Sequence, residues 1–523
     1  MRVFTAQRLY RTLLPLCGLV LLFFTSTLSA ANIGTVVPVL GQVADLVHDS
    51  TRNLVYLANP ARNQIDIYSV ASGRLAGSML AGLQPASLAM SPDGNSLYVA
   101  NVGSFTLTVI NLITQRADFD YFIGSRPDAI AVGKDGQVVI LGTAGLLRLD
   151  PATGRVLPVP ISPPATPPAG LPVTPTSPTP AGFLAGLVTA ANGNLIIGLS
   201  TNRLFVYEVA SGAVLRSRNV TGLRAILSAA PDGSRFMAGP FLFDTETMAI
   251  IGRTGTVSPT LTGGSAFSRD GNAVYATFST QPAINPLNTN NPQNVAGAAS
   301  VLQILRSSSL TPELGLRLAE PITSKIISSA DDANMFANSS SGLLVIPVGQ
   351  LNNLPILDVS ATNVVLSVDT CNRTVATATV QIRNGGAGRM TFAATVNNLA
   401  APVVLNQRTG LAPATLTISF DPRNVTTRGT LQYVVVLVSP EAVNVEPAIL
   451  VNLNFRDVTD RGTIVPMTGV GVDLQMDAAR QRLYIANYTQ DQIEVFSLAP
   501  RVFCRQFASG TARYRWHSRV RPR

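Results

Sequence analysis

Histidine is almost missing from this chain of 523 residues, which holds two, His48 and His517. Cysteine numbers three, tryptophan one, and only 13% of the residues are charged. Each shortage removes a class of function. A His-based metal centre or a Ser-His-Asp triad would have to rest on His48 alone. That residue lies beside a turn, and its counterpart in a later copy of the same segment is Met476, which points to a structural place. One of the cysteines, Cys17, sits in an N-terminal apolar run, and the remaining pair, Cys371 and Cys504, gives no disulfide framework in a chain this long. There is no Cys-x-x-Cys pair, Gly-rich phosphate loop or Ser-x-x-Lys motif. No metal or cofactor is expected.

Charge of one sign is missing from the body as well. The formal charge is +9, but Arg2, Arg8 and Arg11 open the chain and seven more Arg fall in its last 23 residues. Between them 28 basic residues face 29 acidic ones, so a basic nucleic-acid stripe is not supported. The early Arg precede an apolar run from Leu13 to Phe24 and the small residues Ser29, Ala30 and Ala31. This is the pattern of a secretion signal over residues 1–31, its apolar run being too short to span a bilayer. No later run is long enough to be a membrane helix, so the product is expected outside the cell, in the periplasm or at the cell surface.

What is present is a repeat. Residues 86–112 read ASLAMSPDGNSLYVANVGSFTLTVINL, three short β-prone runs divided by two turns. The turn Ser91-Pro92-Asp93-Gly94 suits a tight reversal. Aligned on that turn, Asp49, Asp93, Asp135, Asn192, Asp232, Asp270 and Asp331 follow at steps of 44, 42, 57, 40, 38 and 61. The two long steps contain insertions, one Pro/Thr-rich over 160–180 and one Asn/Pro-rich over 281–297. Pro-rich chain stays extended and solvated. A third strand ends in turns such as Val70-Ala71-Ser72-Gly73, and a fourth leads into bends such as Gly82-Leu83-Gln84-Pro85 and Gly124-Ser125-Arg126-Pro127. Four antiparallel strands in about 40 residues read as a propeller blade, and seven such units are counted. The seventh lacks a fourth strand, and the strand at residues 34–39 is expected to fill its edge and close the ring.

The turn Ser91–Gly94, then Leu97-Tyr98-Val99-Ala100-Asn101 and Thr108-Val109-Ile110-Asn111, resemble the YVTN-type β-propeller repeat over roughly 33–351. The resemblance implies a secreted or cell-surface seven-bladed ring, mostly without a defined activity. From residue 354 the period breaks. Strands are expected at 356–366, 374–382, 390–396, 414–420, 430–438 and 448–455, in a stretch of about 100 residues that suits one sandwich. Residues 413–422 and 429–436 resemble bacterial immunoglobulin-like modules of the BACON type.

The first unit then returns. Asp473, Asp477, Arg480, Tyr484, Asn487 and Gln492 repeat Asp45, Asp49, Arg52, Tyr56, Asn59 and Gln64 at a constant separation of 428. The likeness stops near Ala499. The expected cause is a shift of reading frame that replaced the rest of a second propeller; the alternative is a natural basic tail for an acidic partner. The expected domains are thus a signal (1–31), a seven-bladed propeller (32–351), an immunoglobulin-like sandwich (354–457), one blade of an incomplete second propeller (461–499) and a basic tail (500–523), all-β throughout.

Candidate chemistry is sparse. Asp118 and Asp120 alternate on one strand face, where solvation explains them without a cation. The turn aspartates cap backbone N–H groups. In a ring of this kind the loops after the second strands and the bends before the first share one mouth, which places Asn59, Asn101, Arg126 and Arg224 there. The two Arg occupy matching positions and offer a carboxylate or sugar site. A secreted, non-enzymatic binding or scaffold protein for protein or glycan contact is expected. A propeller enzyme (a lactonase-like hydrolase or quinoprotein-like oxidoreductase) and a purely architectural surface module are the alternatives. Fold analogy alone carries the enzyme.

Overall fold

The structure, a computed structural model, describes residues 31–161, 185–253, 263–277 and 301–508, less short gaps at 202, 221–222, 224–225, 372, 399, 427, 460–461, 463–464, 466, 468–469, 488–491 and 500. The expected signal segment, nearly all of the two insertions and the tail after 508 lie outside the described residues.

The chain is all-β and is built largely of repeated four-stranded antiparallel sheets that fit propeller blades. The first consists of Asp45–Asp49, Leu54–Asn59, Gln64–Ser69 and Arg74–Leu80, the second of Pro85–Met90, Ser96–Asn101, Thr106–Asn111 and Arg116–Phe122. The third is Pro127–Val132, Val138–Gly142, Gly145–Asp150 and Arg155–Pro158. Three more follow over 185–219, 227–253 and 265–317. Another contains Ile322–Ser328, Met335–Ser339 and Gly342–Ile346, joined by Thr35–Pro38 from the start of the chain. The innermost strands of successive sheets touch in order, and Ile322–Ser328 touches Asp45–Asp49, so the series returns to its start.

Stacking explains why the second strands read as almost unbroken apolar runs. Along Leu54–Asn59, Tyr56 and Ala58 pack toward the second sheet, while Val55 and Leu57 pack with Phe336 and Leu343 of the sheet on the other side. A strand covered on both faces has no place for the polar half of an alternating pattern. Outer strands do: Arg74–Leu80 buries only Met79. The turn aspartates act as expected. Asp93, Asp135, Asp232, Asp270 and Asp331 each accept the N–H two residues on, as does Asn192. Asp49 accepts the Thr51 N–H in the same way but sits earlier in its turn. Tyr56 aligns with Tyr98 and Val47 with Ala89 at a separation of 42, so Asp49 takes the place of Ser91, and the step of 44 to Asp93 reflects an acid two residues further along a turn of the same length.

The strand expected at 34–39 pairs over Thr35–Pro38, with Val36 opposite Leu344. Gly342 has φ +147 and an added Cβ would lie 2.5 Å from the Val37 carbonyl, so only glycine lets the two strands approach. The turn before Gly342 is held by Glu320, which accepts from the hydroxyls of Ser340 (2.6 Å) and Ser341 (2.7 Å). Burial pushes the Glu320 carboxyl up, but the serine hydroxyls and the Ser341 N–H outweigh it and hold it at about 2. A carboxyl depressed in the folded state adds stability above its unfolded value and loses it as pH falls through the folded one. Glu320→Gln is therefore expected to cost about 1 to 2 kcal/mol at pH 7, after allowance for solvent screening. It should also flatten the fall in melting temperature between pH 4.5 and about 2, measured by denaturation at stepped pH.

Beyond the ring lie two facing sheets. One contains Leu357–Val359, Ala376–Asn384, Ala414–Phe420 and Val403–Leu405; the other contains Asn363–Asp369, Ala448–Arg456, Gly429–Val438, Thr391–Val396 and Thr409–Leu411. Their inner faces share a core that includes Val380, Ile382, Leu416, Phe392, Val435 and Leu453. The single strand expected at 356–366 is two, one in each sheet, because the chain crosses over at Ser360–Thr362. The stretch 440–446 lies along the outer strand Pro312–Arg317: Val445 N–H donates to Gly315 O (2.8 Å) and Arg317 N–H to Val443 O (2.9 Å).

The last sheet is Gly471–Asp477, Arg482–Asn487, Gln492–Ser497 and Val502–Ala508. Its final strand corrects the expectation that the blade ends at Ala499. Arg74–Leu80 and Val502–Ala508 stand at the same separation of 428 although their side chains differ, and the strand bulges at the same place, Ile67/Tyr68 in one copy and Val495/Phe496 in the other. Backbone pairing to a preformed edge asks little of an outer strand's sequence.

Candidate functional site

One end of each ring sheet brings together the bend before its first strand and the loop after its second. Val102 and Gly103 donate to the carbonyls of Gln84 and Leu83, and Thr143 N–H donates to Arg126 O at 3.1 Å. Asn59 Nδ2 donates to Leu40 O at 2.8 Å. The expected shared mouth is thus built bend against loop.

The side chains placed there differ in exposure. Asn59 and Asn101 are fully buried. Asn59 Nδ2 also donates to Asp66 (2.7 Å), and Asn101 Nδ2 to the hydroxyls of Thr108 (2.8 Å) and Thr106 (3.2 Å). The reading of both as open mouth residues is corrected: they tie the loop to the third strand, and the bends lie directly over them. A Cβ added at Gly41 would lie 2.7 Å from Asn59 Oδ1, and one at Gly82 2.6 Å from Asn101 Nδ2. Arg224 lies outside the described residues. Of the three that are described, Arg126 is the one that faces water. Its Nε donates to Asp128 at 2.7 Å, with side-chain exposures of 54% and 11%. Asp128 sits largely buried, and burial raises its carboxyl above the usual range against the pull of Arg126. Its Oδ2 is buried without a partner. A half-exposed guanidinium anchored through Nε by a buried acid is a fixed cation, suited to a planar anion such as a carboxylate.

Around the axis the inner strands are stitched by side chains to which the sequence reading assigned no such role. Asp45 Oδ1 accepts from Lys325 Nζ (2.7 Å) and Asp45 Oδ2 from Leu88 N–H (2.8 Å), linking the first sheet to both neighbours. Ser87 Oγ accepts from Ile130 N–H in the same way at 3.2 Å. The signal for Asp45 was its return as Asp473; for Lys325 there was none.

Two clefts lie away from the mouth. One of about 330 Å³ is lined by Asp135, Gln137, Arg148, Asp150, Arg155 and Leu157. The other, about 300 Å³, lies between the first and the closing sheets at His48, Ser50, Asn53, Ser329, Asp331 and Asn334. His48 packs against Phe336 with tilted rings whose centroids lie 5.4 Å apart, and burial lowers its pKa more than Asp49 and Asp331 raise it. Among the described residues no group of three His, Cys, Asp or Glu is placed to hold a metal ion.

No protein-family model matches this chain, and no curated protein matches it. Solved structures do. Hydrazine synthase of Kuenenia stuttgartiensis is 14% identical, with a TM-score of 0.43 over 60% of this chain and 97% of that one. The Cps50 (Swd1) β-propeller domain of Myceliophteria thermophila is 14% identical, with a TM-score of 0.46 over 60% of this chain and 99% of that one.

Proposed function

We propose that this protein is a non-enzymatic binding or scaffold protein working outside the cytoplasm, in which a seven-bladed propeller over 32–351 presents one mouth to protein or glycan partners. In this reading residues 354–457 are an immunoglobulin-like module of the BACON type, the blades are of the YVTN type, and the sheet of 471–508 opens a second propeller. The observation that carries the reading is Arg126, a cation held half-exposed at the mouth by the buried Asp128. The partner chemistry that fits it is an acidic one, a carboxylate on a glycan or a protein loop. A rigid ring that holds its loops by backbone bonds suits contact without chemistry.

The test is retention of the secreted protein on arrays of acidic glycans and acidic peptides. Arg126→Ala is expected to weaken binding at least about tenfold, roughly 1.4 kcal/mol, and the Arg126→Ala/Arg224→Ala double variant to abolish it. Retention unchanged in the double variant removes the mouth site.

A further inference from the structure

The sheet of residues 471–508 repeats the first sheet, yet it is covered differently. Leu46 is fully buried, and its counterpart Leu474 is 57% exposed. Met476, in the place of His48, is 50% exposed. The internal bonds are copied faithfully. Leu474 N–H donates to Asp473 Oδ1 at 2.8 Å, as Leu46 N–H does to Asp45. Arg480 pairs with Asp477 at 2.8 Å, as Arg52 does with Asp49 at 2.9 Å. What differs is the outer half of each network. In the ring Asp45 also receives Lys325 from one neighbouring sheet and the Leu88 N–H from the other, and Arg52 reaches Gly94 O at 2.7 Å. Asp473 and Arg480 are exposed to solvent instead.

The same chain therefore shows once, in full, what covers a sheet of this sequence. On the Leu46 side it is Phe336 and Leu343, with Lys325 at the axis. A second copy of 471–508 does not fit that place. Pairing aligns Lys325 with the residue opposite Asn59 in the first sheet, Ala44, and thus with Val472 in the later one, so no cation is offered. The N–H equivalent to that of Leu88 belongs to Leu474 and is already given to Asp473. Stacking two copies would leave Asp473 without either partner.

We infer that the sheet of 471–508 is a docking surface for a propeller-type β-sheet of another polypeptide, one that presents an aromatic side chain to Leu474 and Met476 and a lysine or arginine to Asp473. A thioether against an aromatic ring is a favourable replacement for the tilted His48–Phe336 contact. The inference rests on reading this sheet as the opening of a second propeller.

Two experiments separate the inference from that reading. In a chimera of the full chain, residues 471–508 replace 43–80; it is expected to melt cooperatively within about 10 °C of the parent. Docking is then measured with a defined probe, the chain from which both 43–80 and 471–508 have been removed and which itself melts cooperatively, against the intact protein. Binding is expected to fall at least tenfold with Leu474→Asp or Asp473→Lys in the intact protein. Lys325→Asp in the probe should restore the Asp473→Lys loss. A cooperative chimera with no binding of the probe overturns docking and leaves the second-propeller reading. Binding insensitive to all three changes also overturns it. A chimera without a cooperative melt, together with no binding, overturns both.

Discussion

Replacing Asp49 by alanine is expected to lower stability by about 3 to 5 kcal/mol, while the same change at Asp477 is expected to cost far less. The two residues hold equivalent places and make the same ion pair, to Arg52 and Arg480. Their surroundings set the difference. The Asp49 side chain is fully buried and also accepts from Thr51 N–H, Arg52 N–H (both 3.0 Å) and Tyr56 Oη (3.1 Å). Removing it strands a phenol in the core. The Tyr56 hydroxyl is driven far above its ordinary pKa by burial first and the Asp49 carboxylate next. Arg52 would keep only its bond to Gly94 O in the second sheet. Asp477 is 20% exposed and Arg480 69%, so water replaces what is lost. Asp49→Asn should fall between, since its carbonyl oxygen can still accept the two backbone N–H groups. Urea denaturation of the three variants beside the parent gives the ranking; equal losses at 49 and 477 would refute the assignment to burial.

The second large effect is expected at Arg317. Its guanidinium pairs with Glu446 and donates to the carbonyls of Ala442 and Ala31, the last at 3.3 Å, with side-chain exposures of 18% and 17% across the ion pair. One residue thus joins the outer strand of a ring sheet, the loop between Gly429–Val438 and Ala448–Arg456 of the two-sheet region, and the chain ahead of the first ring strand. Glu446 Oε1 is buried without a hydrogen-bond partner. Arg317→Ala leaves that carboxylate uncompensated at a cost of about 2 to 4 kcal/mol. Because the backbone bonds at 315–317 and 443–445 lie beside it, the contact between ring and two-sheet region should loosen with it. Calorimetry is expected to show one transition in the parent and two in the variant. Arg317→Lys should not restore the parent, since a point charge cannot reach two carbonyls and a carboxylate in one plane. A single, unshifted transition in Arg317→Ala would show that the two parts are coupled elsewhere.

Much of the architecture was legible because it repeats. A turn built on Asp or Asn between β-branched runs means the same thing each time, and seven such units outweigh the ambiguity of one. The constant separation of 428 between Asp45 and Asp473 and their neighbours marks the returning sheet in the sequence alone. Val502–Ala508 was not legible, since an outer strand joins through its backbone and VFCRQFA shares no pattern with RLAGSML. The crossover at Ser360–Thr362 was missed for a related reason: continuous β-propensity does not show where a strand leaves one sheet for another. The mouth was half legible. The position of Asn59 and Asn101 followed from the repeat, but their burial followed from Gly41 and Gly82 lying against them, a contact between segments that sequence spacing does not encode.

The sequence by itself determined the all-β class, the unit of four strands, the turn chemistry and the existence of a duplicated sheet, because each is written in residues close together along the chain. Tertiary structure alone decided which copies of one motif carry energy. Asp49 and Asp477, or Leu46 and Leu474, are the same residues in the same local frame, and only what is stacked beside them turns a turn-capping acid into a buried anchor or an apolar strand into an uncovered face. Burial is a property of neighbours, and the neighbours of a propeller sheet lie some 40 residues or more away along the chain.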